Sequence, residues 1–118
     1  MPALRPGVGI VHAQRADRRG NVQLWGISGV QKETVLASRR SIVTVEEVVD
    51  ELDQRPGSVV LPAWVVGAVA EVPGGARPSY AQGYYDRDND AYRAWDAISR
   101  DRERFGAWLE ELTGERVA

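Results

Sequence analysis

The chain has 118 residues, 43% of them hydrophobic and 27% charged, and a formal net charge of −2. That length accommodates one core, and that hydrophobic fraction is too high for a disordered chain. Having no cysteine and one histidine excludes disulfide frameworks, thiolate metal sites, thiol nucleophiles and multi-histidine centres, and 15 basic against 17 acidic residues excludes a general nucleic-acid binder.

The elements follow in chain order. Val8 to Ala13, with Val8, Ile10 and Val11 β-branched, predicts a short buried strand. Asp17 to Asn21 reads as a turn, because glycine and asparagine tolerate positive φ and aspartate bonds its own backbone. Val22 to Trp25 alternates and resumes extended structure, and Gly26 and Gly29 bracket a loop. Gln31 to Arg39 predicts a short helix, and Ser41 to Val45 gives the clearest strand.

Glu46 to Leu52 suggests a helical turn stopped by Arg55-Pro56-Gly57, followed by a buried strand over Ser58 to Leu61. Trp64 to Val72 fits strand propensity and helical spacing alike, with extended structure preferred, and Pro73 to Pro78 forms a surface loop or ligand wall. Asp86 or Asp88 caps a helix facing inward with Ala91, Trp95 and Ile98, continued by Phe105, Leu109 and Leu112. The polar run Ser99 to Glu103 marks either a bend or the meeting of two helices, and Gly114 is a natural stop. Interleaved strands and helices indicate a single α/β domain, an open sheet with flanking helices and a long helical tail.

The apolar-rich stretch Val59 to Val72 is broken by Pro62, Gly67 and Glu71 and falls short of the roughly 20 residues that span a bilayer. The N-terminus has no signal-peptide core, so a cytoplasmic chain without membrane or nucleic-acid partners is expected. Lys32 is the one lysine among the basic residues, which favours the fork-like recognition that arginine offers to carboxylates and phosphates.

The chemistry-bearing candidates are few. His12 is the one side chain titrating near neutrality, and a core histidine is its plainer reading. Glu46 and Glu47 follow the strongest strand, where open α/β folds place ligands, and equally suit the acidic first turn of a helix. Tyr80, Tyr84, Tyr85, Tyr92, Trp95 and Trp108 line a flat apolar pocket or pack at an interface. Neither phosphate-binding glycine fingerprint occurs, and no nucleophile–base–orienter set can be assembled. What remains is a polar edge around His12, Arg15, Asp17, Glu46 and Glu47.

Several segments carry a resemblance. His12 to Gln23, Ala37 to Asp50, Leu61-Pro62-Ala63-Trp64, Val72 to Ser79, Gly83 to Asp88 and the Trp-containing terminal helix together resemble the alpha subunit of family I coenzyme A transferases of the glutaconate CoA-transferase type. The resemblance is to the C-terminal half of such a subunit, whose first half carries a glycine-rich loop near CoA, as if the chain entered mid-domain at Met1. It implies an open α/β fold and an active site between alpha and beta chains. Coenzyme A is then a thioester substrate and no cofactor is implied.

On this resemblance the nucleophilic glutamate belongs to the beta subunit, so no catalytic residue is assigned here and the chain alone is inactive. The implied substrate-binding residues are His12, Gln14, Asp17, Asn21, Glu46 and Glu47, and the implied partners are a beta subunit in a hetero-oligomer, an acyl-CoA and a carboxylate. Ring-opening CoA-ester hydrolases of steroid breakdown resemble the same segments, and a non-catalytic assembly module is a third possibility. An incomplete sheet is expected to expose the Val8 strand as an edge and to promote association.

Overall fold

A computed structural model describes residues 3–114. Five strands form one mixed sheet: β1 (Val8–Asp17), β2 (Val22–Leu24), β3 (Arg40–Val49), β4 (Val59–Leu61) and β5 (Ala68–Glu71), in the order β4-β2-β1-β3-β5. β1, β3 and β5 run parallel, while β2 and β4 continue the sheet antiparallel. The sheet is the open α/β arrangement expected.

Helix α1 (Gln31–Ala37) links β2 to β3 and lies against β1, burying Val35. It ends two residues before the predicted Arg39 because Ser38 is already extended. Val11, Ala13, Ala16, Val22, Leu24, Val43, Val45 and Leu61 complete the core with Val35. Each fully buried valine or leucine contributes about 1.5–3 kcal/mol of transfer free energy.

Two expectations are corrected. Residues 46–49 form no helical turn but continue β3, because Glu47, Val48 and Val49 pair with Arg15, Ala16 and Asp17 of a β1 that is itself longer than predicted. Trp64 to Val72 is extended only in part: a 3₁₀ turn over Ala63–Val65 precedes β5.

The Val8 strand is also not an edge. β1 is the central strand, and the sheet ends at the short β4 and β5. β2 flanks β1 at Arg15 and Ala16, ahead of which β1 is joined by β3 on its other side. There the Gln31 side chain donates to the His12 carbonyl at 2.8 Å. The exposed apolar surface is real, but it is a patch around Val8, Ile10 and Ile42.

The tail is two helices rather than one. α2 (Asn89–Ser99) is capped by Asp88 and α3 (Arg102–Thr113) by Asp101, each carboxylate accepting two backbone N–H groups. The polar run therefore marks a junction. Trp95 meets Phe105 and Trp108 edge to face at 6.1 and 4.9 Å, which holds the hairpin together. Gly114 ends α3 in the left-handed conformation at φ 69°, as the sequence indicated.

Candidate functional site

The polar edge is built where β1 and β3 run side by side, with His12 opposite Thr44 and Arg15 opposite Glu47. Burial follows the same pattern through the first eight residues of each strand. In both, the alternation breaks at one place: Ala13 and Gln14 are buried in succession, and so are Val45 and Glu46. At that point the chain returning from β5 covers the strands.

Glu46 is the most constrained carboxylate there. Its Oε1 accepts from His12 Nε2 at 2.6 Å and from the Tyr85 hydroxyl at 2.6 Å, and its Oε2 accepts from the Gly74 N–H at 2.7 Å. Burial pushes this carboxyl upward, but the bonds from Tyr85, Gly74 and His12 outweigh it and hold Glu46 below its ordinary range. Because a carboxylate only accepts, His12 Nε2 carries a proton, leaving Nδ1 of a neutral ring to accept from Thr44 Oγ1 at 2.8 Å. Gly75 packs on this ring: a Cβ there would stand 2.8 Å from His12 Cε1, so a larger residue would displace the loop or the imidazole.

Glu47 belongs to a more open group. Its Oε1 accepts from Arg15 Nε at 2.5 Å and from the Tyr84 hydroxyl at 2.6 Å, and its side chain is 39% exposed. The Tyr84 bond and then the Arg15 bond hold it below the ordinary glutamate value. Desolvation first, and then its bond to Glu47, pushes the Tyr84 phenol up to about 12, so it stays a proton donor across the neutral range. Tyr84 stacks on Trp25 with ring centroids 6.2 Å apart, and the Arg15 guanidinium lies 5.5 Å from the Trp25 ring.

The remaining candidates hold the backbone. The Gln14 carboxamide bonds both the carbonyl and the N–H of Trp25, fixing the end of β2 against β1. Asp17 Oδ1 accepts from the N–H groups of Arg19 and Asn21, and its Oδ2 accepts from Asn21 Nδ2 at 2.7 Å. Desolvation pushes Asp17 up, and the Asn21 and Arg19 bonds more than reverse it. Asn21 Oδ1 in turn accepts from the Ala63 N–H, tying the turn to the 3₁₀ segment.

Of the six candidates, His12 joins Glu46 and Asp17 joins Asn21, while Gln14 and Glu47 each bond other neighbours. Tyr84 and Tyr85 were legible only as flat aromatics, yet their hydroxyls are what orient the two glutamates. An adjacent tyrosine pair following an adjacent glutamate pair is the one signal that hinted at it. Thr44 and the Gly74 N–H left no signal at all.

A carboxylate that attacks an acyl carbon needs a free oxygen, and Glu46 has both oxygens taken. Glu47 is reachable and sits beside a guanidinium and a phenol, a group suited to positioning a polar substrate. A cavity of about 180 Å³ adjoins the edge, lined by His12, Gln14, Trp25, Gln31 and Tyr80 among others. Among the described residues no cluster of three or more His, Cys, Asp or Glu side chains is placed to hold a metal ion. No helix of the described residues is long and apolar enough to cross a membrane.

The coenzyme A transferase family model matches residues 1–72. This chain belongs to the coenzyme A transferase family. It is 61% identical over 111 residues to the alpha subunit of 3-oxoadipate CoA-transferase of Pseudomonas knackmussii, covering 94% of this chain and 39% of that protein. It is 33% identical over 98 residues to the cholesterol ring-cleaving hydrolase IpdA subunit of Mycobacterium tuberculosis, covering 79% of this chain and 34% of that one.

Two crystal structures share its fold. Glutaconate coenzyme A-transferase of Acidaminococcus fermentans matches with a TM-score of 0.80 and 35% identity, over 93% of this chain and 35% of that one. A variant of the decarboxylase AibA/AibB matches with a TM-score of 0.81 and 31% identity, over 97% of this chain and 41% of that one. The chain thus spans well under half the length of the relatives it matches.

Proposed function

We propose that this chain is a portion of the alpha subunit of an acyl-CoA:carboxylate CoA-transferase, shaping the wall of the acyl pocket and supporting a beta subunit that carries the nucleophilic glutamate. The observation that carries this reading is the 61% identity, along nearly the whole chain, to the alpha subunit of 3-oxoadipate CoA-transferase. The name of that relative makes a dicarboxylic acyl group the first substrate class to test. The assembly is a cytoplasmic hetero-oligomer, with coenzyme A entering as the thioester and no further cofactor.

The chemistry follows from what each residue can offer. A carboxylate of the partner attacks the thioester carbonyl, and the closed site keeps water from taking the acyl group. Arg15, Glu47 and Tyr84 form the substrate-facing edge, where the guanidinium and phenol present N–H and O–H donors to substrate oxygens. His12, Gln14, Asp17, Asn21 and Glu46 hold that edge in register rather than reacting. Glu46 has no free oxygen with which to become acylated, which favours a nucleophile on another chain.

The test is an exchange assay. The subunit, at the length of its relatives and mixed with its beta partner, is expected to pass CoA between two acids, 3-oxoadipate among them. Absence of exchange from that complete assembly overturns the reading.

A second reading is favoured by the match to a ring-cleaving hydrolase subunit. It predicts release of free acid from a CoA ester without any acceptor carboxylate. The same assay with the acceptor omitted separates the two.

A further inference from the structure

The largest cavity lies away from the His12–Glu46 pair, at the carboxyl ends of β1 and β3, and measures about 730 Å³. Open α/β sheets bind ligands at such strand ends. We propose that this cavity is a socket for a protonated nitrogen, an ammonium or guanidinium group, which the carboxamide oxygen of Gln23 receives.

Gln23 carries the inference. It is wholly buried on β2 and lines the cavity. Its Nε2 donates to the Asp53 carbonyl at 2.9 Å and to Ser58 Oγ at 3.1 Å. A carbonyl accepts only from a donor, so this bond fixes which end of the carboxamide is nitrogen. Its Oε1 is then left as the one buried side-chain polar atom among the described residues that has no partner. An acceptor desolvated without a donor is costly to keep, and a ligand N–H removes that cost.

Charge selects the kind of donor. The lining holds Asp17, Asp50, Glu51 and Asp53 against Arg19 and Arg55. Arg55 is drawn over the Trp25 ring, its guanidinium carbon 4.1 Å from the centroid. Asp17 is bonded within its own turn, Asp50 to Arg18, and Asp53 lies 3.6 Å from Arg15. Glu51 is exposed in the lining, so the field there favours a cation and opposes the phosphates of coenzyme A. The Asp53–Arg15 contact also ties the socket to the Glu47–Tyr84 edge.

The probe is N-acetyl-arginine methylamide, titrated into the ¹⁵N-labelled 118-residue chain, with the citrulline analogue as its uncharged counterpart. Saturable shifts at the Gln23 side-chain amide and at Ser58 are expected, with the citrulline analogue about tenfold weaker. Glu51→Gln, at an exposed position, weakens the arginine probe about threefold, and Gln23→Met abolishes the saturable response. Should Gln23→Met fail to fold, the Glu51→Gln and citrulline comparisons decide. Shifts that never saturate, equal affinity for both probes, or an unchanged Glu51→Gln titration overturn the proposal. Repeating the titration in the assembled complex assigns the source: exclusion of the probe means a side chain of the assembly fills the socket, and retained binding means a free small cation. Either result supports the donor class.

Discussion

His12 and Glu46 are separated by 34 residues in sequence, yet His12 Nε2 lies 2.6 Å from Glu46 Oε1. The parallel pairing of β1 with β3 brings them together, and Tyr85 and Gly74 close the group from the chain that follows β5. Its neighbour Glu47 makes both its bonds through one oxygen and remains partly exposed. The two consecutive glutamates therefore have different work: one fastens the strands to the loop, and the other faces outward.

Replacing each glutamate separates these roles. Glu46→Gln puts a donor where three donors converge and is expected to destabilise the fold by about 2–4 kcal/mol. Glu47→Gln, at a partly exposed pair, is expected to cost under about 1 kcal/mol. Urea denaturation of the two variants checks the order, and a larger loss from Glu47→Gln would contradict it.

Stability should depend on pH at both ends of the scale. Asp17, Glu46 and Glu47 all titrate below their ordinary values in the fold. Groups of this kind contribute stability that is present above the unfolded pKa and lost as pH falls through the folded one. An acid limb therefore begins below the ordinary glutamate value of 4.5 and is shallower in Glu46→Gln. Tyr84 shifts the other way, from 10.0 to about 12, so its contribution is complete below 10 and lost as pH rises through 12. Denaturation midpoints across the pH range test this, with Tyr84→Phe expected to lose part of the alkaline limb.

The strands and caps were legible in the sequence because β-branched runs and aspartate caps act locally: Val8 to Val11, Ser41 to Val45, Asp88 and Gly114 fall where those signals put them. Residues 46–49 misread because an acidic pair after a strand suits a helix's first turn, whereas pairing with β1 decides the matter from 32 residues away. The polar edge was half legible. His12, Arg15, Asp17, Glu46 and Glu47 stood out as scarce chemistry on or beside strands. Which of them touch depended on register, and the roles of Tyr84 and Tyr85 depended on a loop that crosses back over the sheet.

Association should follow the apolar patch rather than a sheet edge. Ile10 is 67% exposed, with Val8 and Ile42 beside it. Sedimentation of the 118-residue chain is expected to show concentration-dependent self-association, and Ile10→Lys to shift it toward monomer. A dilute and concentrated sample sedimenting alike would contradict this.

The helical hairpin should open independently of the sheet. α2 and α3 bury no residue fully, and their contacts are chiefly with each other. Their amides are expected to exchange faster than those of β1 and β3. Asp101→Ala should speed exchange in α3 by removing a cap worth about 1 kcal/mol while leaving the strands unchanged.

The most direct measurement is the location of the acyl intermediate. The complete assembly is incubated with an acyl-CoA ester, reduced with borohydride to fix any glutamyl thioester, digested and read by mass spectrometry. The modified glutamate is expected on the beta chain, with Glu46 and Glu47 unmodified. A modified Glu46 or Glu47 would contradict the assignment of this chain as the supporting, non-nucleophilic partner.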